Sequence, residues 1–293
     1  MNFFQRLFGS AEENPEEKKK ETEARNFDAL KYDGMAALKM GQIEYAITCF
    51  EHALQMRDDL EIRDNLSVAY IHQNQLPQAV QELRILAEAQ PDNQAVWVRM
   101  ARVCYMMEEY DQMAEACEQA EKAQADSPEV SYLYAEARRG QGDKAAAIEL
   151  LTHTIGQDPK HGAAYLLRGQ IFLDMERLDE ADADADWLLE HADPEEDIVL
   201  LKARIAHKRG DLAKAVEWYG RVIDTNPFCV AAFRERGAIY HELGEEALAE
   251  ADLNTADELA PKDVADVCDE QSAEGIEQKT KDAYKNTLNP FGL

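Results

Sequence analysis

Three groups of residues in this chain have types and spacings that could do chemistry. Gly140-Gln-Gly-Asp-Lys-Ala145 has the G-x-G-x-x-A spacing whose glycines let a backbone approach a dinucleotide pyrophosphate. That chemistry needs a strand before the first glycine and a helix N-terminus facing the phosphates. The residues before Gly140 have a helical pattern instead, so the glycines read as a turn between two helices. Asp182-x-Asp184-x-Asp186 resembles the opening of a calcium loop, which would continue with a glycine and a distant glutamate. Trp187 follows instead, and on a helix residues i and i+2 point apart, so the stretch reads as a solvated helix edge. His207 and His241 are the third group, placed to lie on neighbouring packed helices. Zinc would need a third convergent ligand, and packed helix axes lie about 8–10 Å apart. With Glu242 alone in reach, the pair reads as two solvated histidines and no metal is expected. HExxH, GxSxG, P-loop and paired CxxC motifs are missing from the sequence, so no cofactor and no catalytic residues are expected and the chain reads as a non-enzyme.

The elements that carry these residues are set by composition. The 293 residues include 31 Lys and Arg against 59 Asp and Glu, a net charge of −28, with 45% apolar residues, 14 Gly and 9 Pro. Such a chain folds, favours helix, and is repelled by nucleic acid and by anionic membranes. The sequence has no apolar run near the ~20 residues that cross a bilayer. Cys49, Cys104, Cys117, Cys229 and Cys268 are odd in number and show no paired spacing, which suits free thiols in a reducing cytoplasm.

Four segments repeat. Each runs from a small residue to Gly41-Gln-Ile-Glu-Tyr-Ala46, Gly142-Asp-Lys-Ala-Ala-Ala147, Gly210-Asp-Leu-Ala-Lys-Ala215 or Gly244-Glu-Glu-Ala-Leu-Ala249. The spacing from Pro159 to Pro227 is twice that from Pro227 to Pro261. A frame of the shorter period starting at Phe27, Leu60, Gln94, Pro128, Gly162, Glu196 and Val230 puts Gly34, Ser67, Ala101, Ala135, Gly169, Ala203 and Gly237 at position 8. Position 20 is Ala46, Ala79, Met113, Ala147, Ala181, Ala215 and Ala249. His207 and His241 share position 12 of consecutive repeats. This pattern resembles the tetratricopeptide repeat family. Small residues let two helices cross closely, glycine ends the first helix and proline follows the second. The resemblance implies an all-α, right-handed solenoid of helical hairpins, each covering its neighbour's apolar face.

The expected organisation is a short apolar helix (Phe3, Phe4, Leu7, Phe8) with a charged flexible linker over 1–26 and seven repeats over 27–263. The repeats are 27–59, 60–93, 94–127, 128–161, 162–195, 196–229 and 230–263, and a capping helix and tail take 264–293. Repeat three departs, with Met113 at position 20 and its proline displaced to Pro128, and a longer second helix or a shifted stack is expected there. Position 7 drifts to Asp33, Arg168, Lys202 and Arg236.

In the family, positions 2, 5, 9, 12 and 13 of each first helix line a concave groove that holds partner peptides. By that resemblance the groove residues here are Lys31, Asn65, Arg99, Arg102, Tyr105, Tyr132, Arg139, Arg204, His207, Lys208, Arg234 and His241. Lys31, Asn65 and Arg99 match three of the five residues with which some co-chaperone members grip a C-terminal carboxylate, while Met35 and Ala95 depart from that set. Arg204 and Arg234 on adjacent first helices form the second candidate, a pair able to hold an acidic side chain. The expected function is binding of a protein or peptide, acidic or carboxylate-bearing, as an adaptor or assembly factor. The alternative is self-assembly through residues 1–9, which also allow weak peripheral membrane contact.

Overall fold

The computed structural model describes residues 15–193 and 195–260. Among the described residues there are fourteen helices and no strand. They form two compact units that divide between Met107 and Glu108. The first unit holds α1 (Pro15–Lys39), α2 (Ile43–Met56), α3 (Leu60–His72), α4 (Leu76–Ala89) and α5 (Gln94–Met106). The second holds α6 (Tyr110–Ala123), α7 (Pro128–Gly140), α8 (Lys144–Gln157), α9 (Gly162–Asp174), α10 (Leu178–His191), α11 (Glu196–Lys208), α12 (Leu212–Thr225), α13 (Val230–Glu242) and α14 (Glu246–Leu259). Within each unit hairpins stack: α1 on α2 and α3 on α4 in the first; α7 on α8, α9 on α10, α11 on α12 and α13 on α14 in the second. Each is an all-α hairpin solenoid of the expected class.

Local sequence explains where the helices turn. At position 15 of the frame the chain enters the left-handed region, with φ of 73° at Gly41, 81° at Gly142, 77° at Gly210 and 76° at Gly244. Repeats without glycine there force the same conformation on Asn74, Glu108 and Glu176, at φ of 59°, 58° and 59°. Pro91, Pro159 and Pro227 sit just past the second helices and push Gln90, Asp158 and Asn226 out of the helical region.

The close crossings fall at the small residues. Ala215 and Ala181 are fully buried, and a Cβ added to Gly237 would come within 3.4 Å of the Ala249 carbonyl oxygen. At Gly34 a Cβ would meet the Phe50 ring at 2.6 Å, so any side chain there would force the buried ring to move. Gly140, the first glycine of the dinucleotide-like motif, has the same role, because the Tyr110 ring fills the space its Cβ would take. The motif is the turn from α7 to α8.

One expectation fails, and of the two alternatives for repeat three the longer helix is not found. Residues 15–26, expected as part of a flexible linker, are helical and continuous with the first repeat, giving α1 25 residues. Glu and Lys are good helix formers, and Lys19 pairs with Glu23 one turn on at 4.0 Å. In repeat three the second helix is not longer; α6 has 14 residues like its counterparts. The irregularity lies in the following turn, where Asp126 takes φ 60°, Ser127 accepts a hydrogen bond from the Val130 amide and Pro128 opens α7. The expectations for residues 1–14 and 264–293, including the apolar segment and the capping helix, lie outside the described residues.

Candidate functional site

The basic residues at position 7 are structural. Arg168 on α9 clasps Asp184 on α10 with two hydrogen bonds of 2.9 and 2.6 Å, and Arg236 on α13 clasps Asp252 on α14 at 2.7 and 2.8 Å. Both pairs join position 7 to position 23 within one hairpin. The Asp184 and Asp252 side chains are buried. The reading of residues 182–186 as a solvated edge is therefore corrected for Asp184 and Asp182, while Asp186 is exposed as expected. Asp182 accepts from Lys202 and Arg209, both at 2.5 Å, and Asp186 accepts from Lys202 at 2.6 Å. Burial raises the Asp182 pKa, but Lys202 and Arg209 outweigh it and hold the carboxyl below its usual range. Sequence alone carried the signal for the clasps, a base at position 7 with an acid at position 23. The Lys202 contacts run to the preceding repeat and have no such signature.

In the first unit the carboxylate-grip positions are already occupied. Lys31 lies 3.1 Å from Asp59 and 2.6 Å from Glu61, and its side chain is only 14% exposed. Burial opposes the Lys31 charge, yet Glu61 and Asp59 raise its pKa overall. Asn65 donates to the Glu61 carbonyl at 2.7 Å, and Arg99 donates to Asp64 at 2.5 Å and to Ser67 at 3.3 Å. Arg102 and Tyr105 are half-buried on α5.

The second unit contains an open groove of about 860 Å³. First helices line it at the positions the repeat pattern assigns to a concave face: Arg139 on α7, Gln170, Leu173 and Asp174 on α9, and Asp197, Leu200, Arg204, His207 and Lys208 on α11. Leu201, Tyr219, Glu235, Lys144 and Glu176 complete the lining. The groove thus has four fixed cations (Arg139, Lys144, Arg204, Lys208) against four acids (Asp174, Glu176, Asp197, Glu235), a balance of zero. Lys144 pairs with Asp174 at 3.5 Å. Arg204 is held by Glu235 through contacts of 2.6 to 3.1 Å, and the Tyr219 hydroxyl donates to the same carboxylate at 2.6 Å. Tyr219 is fully buried, and burial together with the Glu235 charge pushes its pKa up and keeps the phenol protonated. Arg139 and Lys208 are exposed and have no ion-pair partner among the described residues.

Arg204 and His207 line the groove, but Arg234 and His241 do not. Arg234 reaches the Ala260 carbonyl at 3.5 Å, and His241 lies 3.0 Å from Glu246 while His207 lies 3.7 Å from Glu242. Glu235, at position 6, was the residue that sequence reasoning missed; no local pattern marks a partner that belongs to the next repeat. Tyr132 on α7 stacks on His161, with ring centroids 5.0 Å apart, and its hydroxyl donates to Glu136 at 3.3 Å.

Among the described residues no helix is long and apolar enough to cross a membrane, and no three His, Cys, Asp or Glu side chains gather as a metal site. Cys49, Cys104, Cys117 and Cys229 are buried free thiols.

A tetratricopeptide repeat family model matches residues 34–94, 166–227 and 200–264, and a model for anaphase-promoting complex, cyclosome, subunit 3 matches 112–183. Among solved structures, PilF of Pseudomonas aeruginosa matches with TM-score 0.55 and 16% identity, over 77% of this chain and 99% of its own. PilW, described as a widely conserved type IV pilus biogenesis factor, matches with TM-score 0.60 and 18% identity, over 66% of this chain and 90% of its own. A tetratricopeptide repeat protein of Parabacteroides merdae matches with TM-score 0.52 and 13% identity, over 86% of this chain and 89% of its own. At these identities the likeness is one of fold.

Proposed function

Because the chain belongs to the tetratricopeptide repeat family, we propose that it binds an extended segment of another protein in the groove of its second unit, as an adaptor or assembly factor that performs no chemistry on it. One observation carries this reading. Successive first helices present the part-exposed Leu173 beside two exposed cations, Arg139 and Lys208, in a single open groove. An apolar side chain of the guest loses water against Leu173, and an acidic group pairs with Arg139 or Lys208. Asp197 and Glu176 make the guest's own basic residues tolerable, so mixed charge suits the groove better than a purely acidic tract.

The test is peptide selection. Peptides chosen from a random display library on the full chain are titrated against the wild type, Leu173→Asp, and Arg139→Ala with Lys208→Ala. Each groove variant should weaken binding by about tenfold, since one charged or apolar contact is worth about 1–2 kcal/mol. Selected peptides that bind folded groove variants as tightly as the wild type would overturn the reading.

A further inference from the structure

Charge alternates along the groove of the second unit. Repeat position 12 puts Arg139 on α7, Leu173 on α9 and His207 on α11 in one row, with Asp174 and Lys208 beside the last two at position 13. Two of the four fixed cations are engaged, Lys144 by Asp174 at 3.5 Å and Arg204 by Glu235 at 2.6 Å. The exposed Arg139 and Lys208 stand at opposite ends of the row. The helix between them contributes no cation to the groove; it offers the part-exposed Leu173 flanked by the exposed Asp174 and Glu176. Asp197 does not neutralise Lys208, because it lies at the other end of α11, roughly 16 Å away along the helix. The row thus runs from a cation, through an apolar group bordered by acids, to a second cation.

Resting on the proposal that this groove holds an extended segment of another protein, we infer that the segment carries two acidic residues about six positions apart, with an apolar residue and no acid between them. Arg139 and Lys208 belong to first helices two repeats apart, and successive first helices such as α9 and α11 touch. Helices packed about 10 Å apart put the two cations roughly 20 Å from each other. An extended chain covers ~3.3 Å per residue, so about six residues join them. Screening makes the spacing selective. The Debye length of about 8 Å at physiological ionic strength is well short of that separation, so each cation attracts only an acid placed beside it. An acid in the middle of the guest meets Asp174 and Glu176 instead and is repelled. An unbroken acidic tract therefore gains two contacts and is penalised between them. A pair of acids around an apolar residue gains the same contacts and loses water against Leu173.

The experiment titrates the full chain with fluorescent peptides of one composition, two glutamates around a leucine in a serine–glycine background, that differ only in glutamate spacing: three, six or nine positions. Anisotropy should show the six-spaced peptide binding several-fold more tightly than the other two. Lys208→Glu should weaken it about tenfold, since an attraction becomes a repulsion. Lysine in place of one glutamate should restore binding to Lys208→Glu, and lysine in place of the other should restore binding to Arg139→Glu. Equal affinity at all three spacings, rescue of both variants by the same lysine, or a six-spaced peptide that does not bind would overturn the inference. If Leu173→Asp still weakens whatever peptide binds, the groove reading survives that failure. Peptide binding indifferent to Leu173→Asp and to both charge reversals would overturn the groove reading and this inference with it.

Discussion

In the first unit Arg99 is tied to Asp64, and Lys31 to Asp59 and Glu61, whereas in the second unit Arg139 and Lys208 stand in an open groove with no ion-pair partner among the described residues. Basic residues at inner repeat positions thus do two different jobs in one chain. A charge with a carboxylate across the helix pair is a fastener, and removing one side strands the other. A charge without one is available to a guest. The repeat position of a lysine or arginine shows which face it occupies. Its partner, often in a neighbouring repeat, decides which job it does.

The largest effect that tests this contrast lies at the clasps. Asp184→Ala leaves Arg168 half-buried without its partner and should cost about 3–5 kcal/mol in urea melts. Arg168→Leu combined with Asp184→Ala should recover most of that loss, because replacing both members of a buried pair with apolar groups is close to neutral. A double variant as unstable as the single one would mean that the clasp does more than fasten.

Next comes the crossing itself. Ala215→Leu drives bulk into a fully buried contact and should cost about 1–3 kcal/mol by overpacking. Asp182→Leu, which the sequence pattern treats as harmless, should also destabilise measurably, since it strips Lys202 and Arg209 of a shared carboxylate.

A smaller difference separates the two sets of basic residues directly. Arg99→Met should cost about 1 kcal/mol, while Lys208→Met leaves the melting curve unchanged and lowers only guest binding. Equal stability losses would erase the distinction between fastened and available charge.

Fastened carboxylates also set the acid limb. Burial alone would raise Asp59 and Asp182, yet the Ile62 amide with Lys31, and Lys202 with Arg209, hold them below the usual range. Their contribution is complete above the unfolded carboxylate value of about 4 and is lost as pH falls through the lower folded values. Stability should be level above about pH 4 and fall below it, less steeply in Asp182→Asn. The smallest expected change is a gain. Glu108→Gly relieves a left-handed glutamate and should stabilise by up to about 1 kcal/mol in the same melts, whereas Asn74→Gly, starting from a residue that tolerates this region, should gain less.

The sequence by itself determined the hairpins. Small residues at positions 8 and 20, glycine at 15 and proline at 32 act through neighbours within one repeat, and short-range sterics leave such a frame little choice. Sequence alone misread Asp182, Asp184 and residues 15–26, where a charged run looks the same whether it faces water, a partner helix or its own next turn. Tertiary structure alone decided which charges are spent. Glu235 takes Arg204 out of play, Asp59 takes Lys31, and Arg139 and Lys208 stay open. Electrostatic pairing depends on separations of a few ångströms between residues on different helices, and only the stacking of hairpins sets those separations.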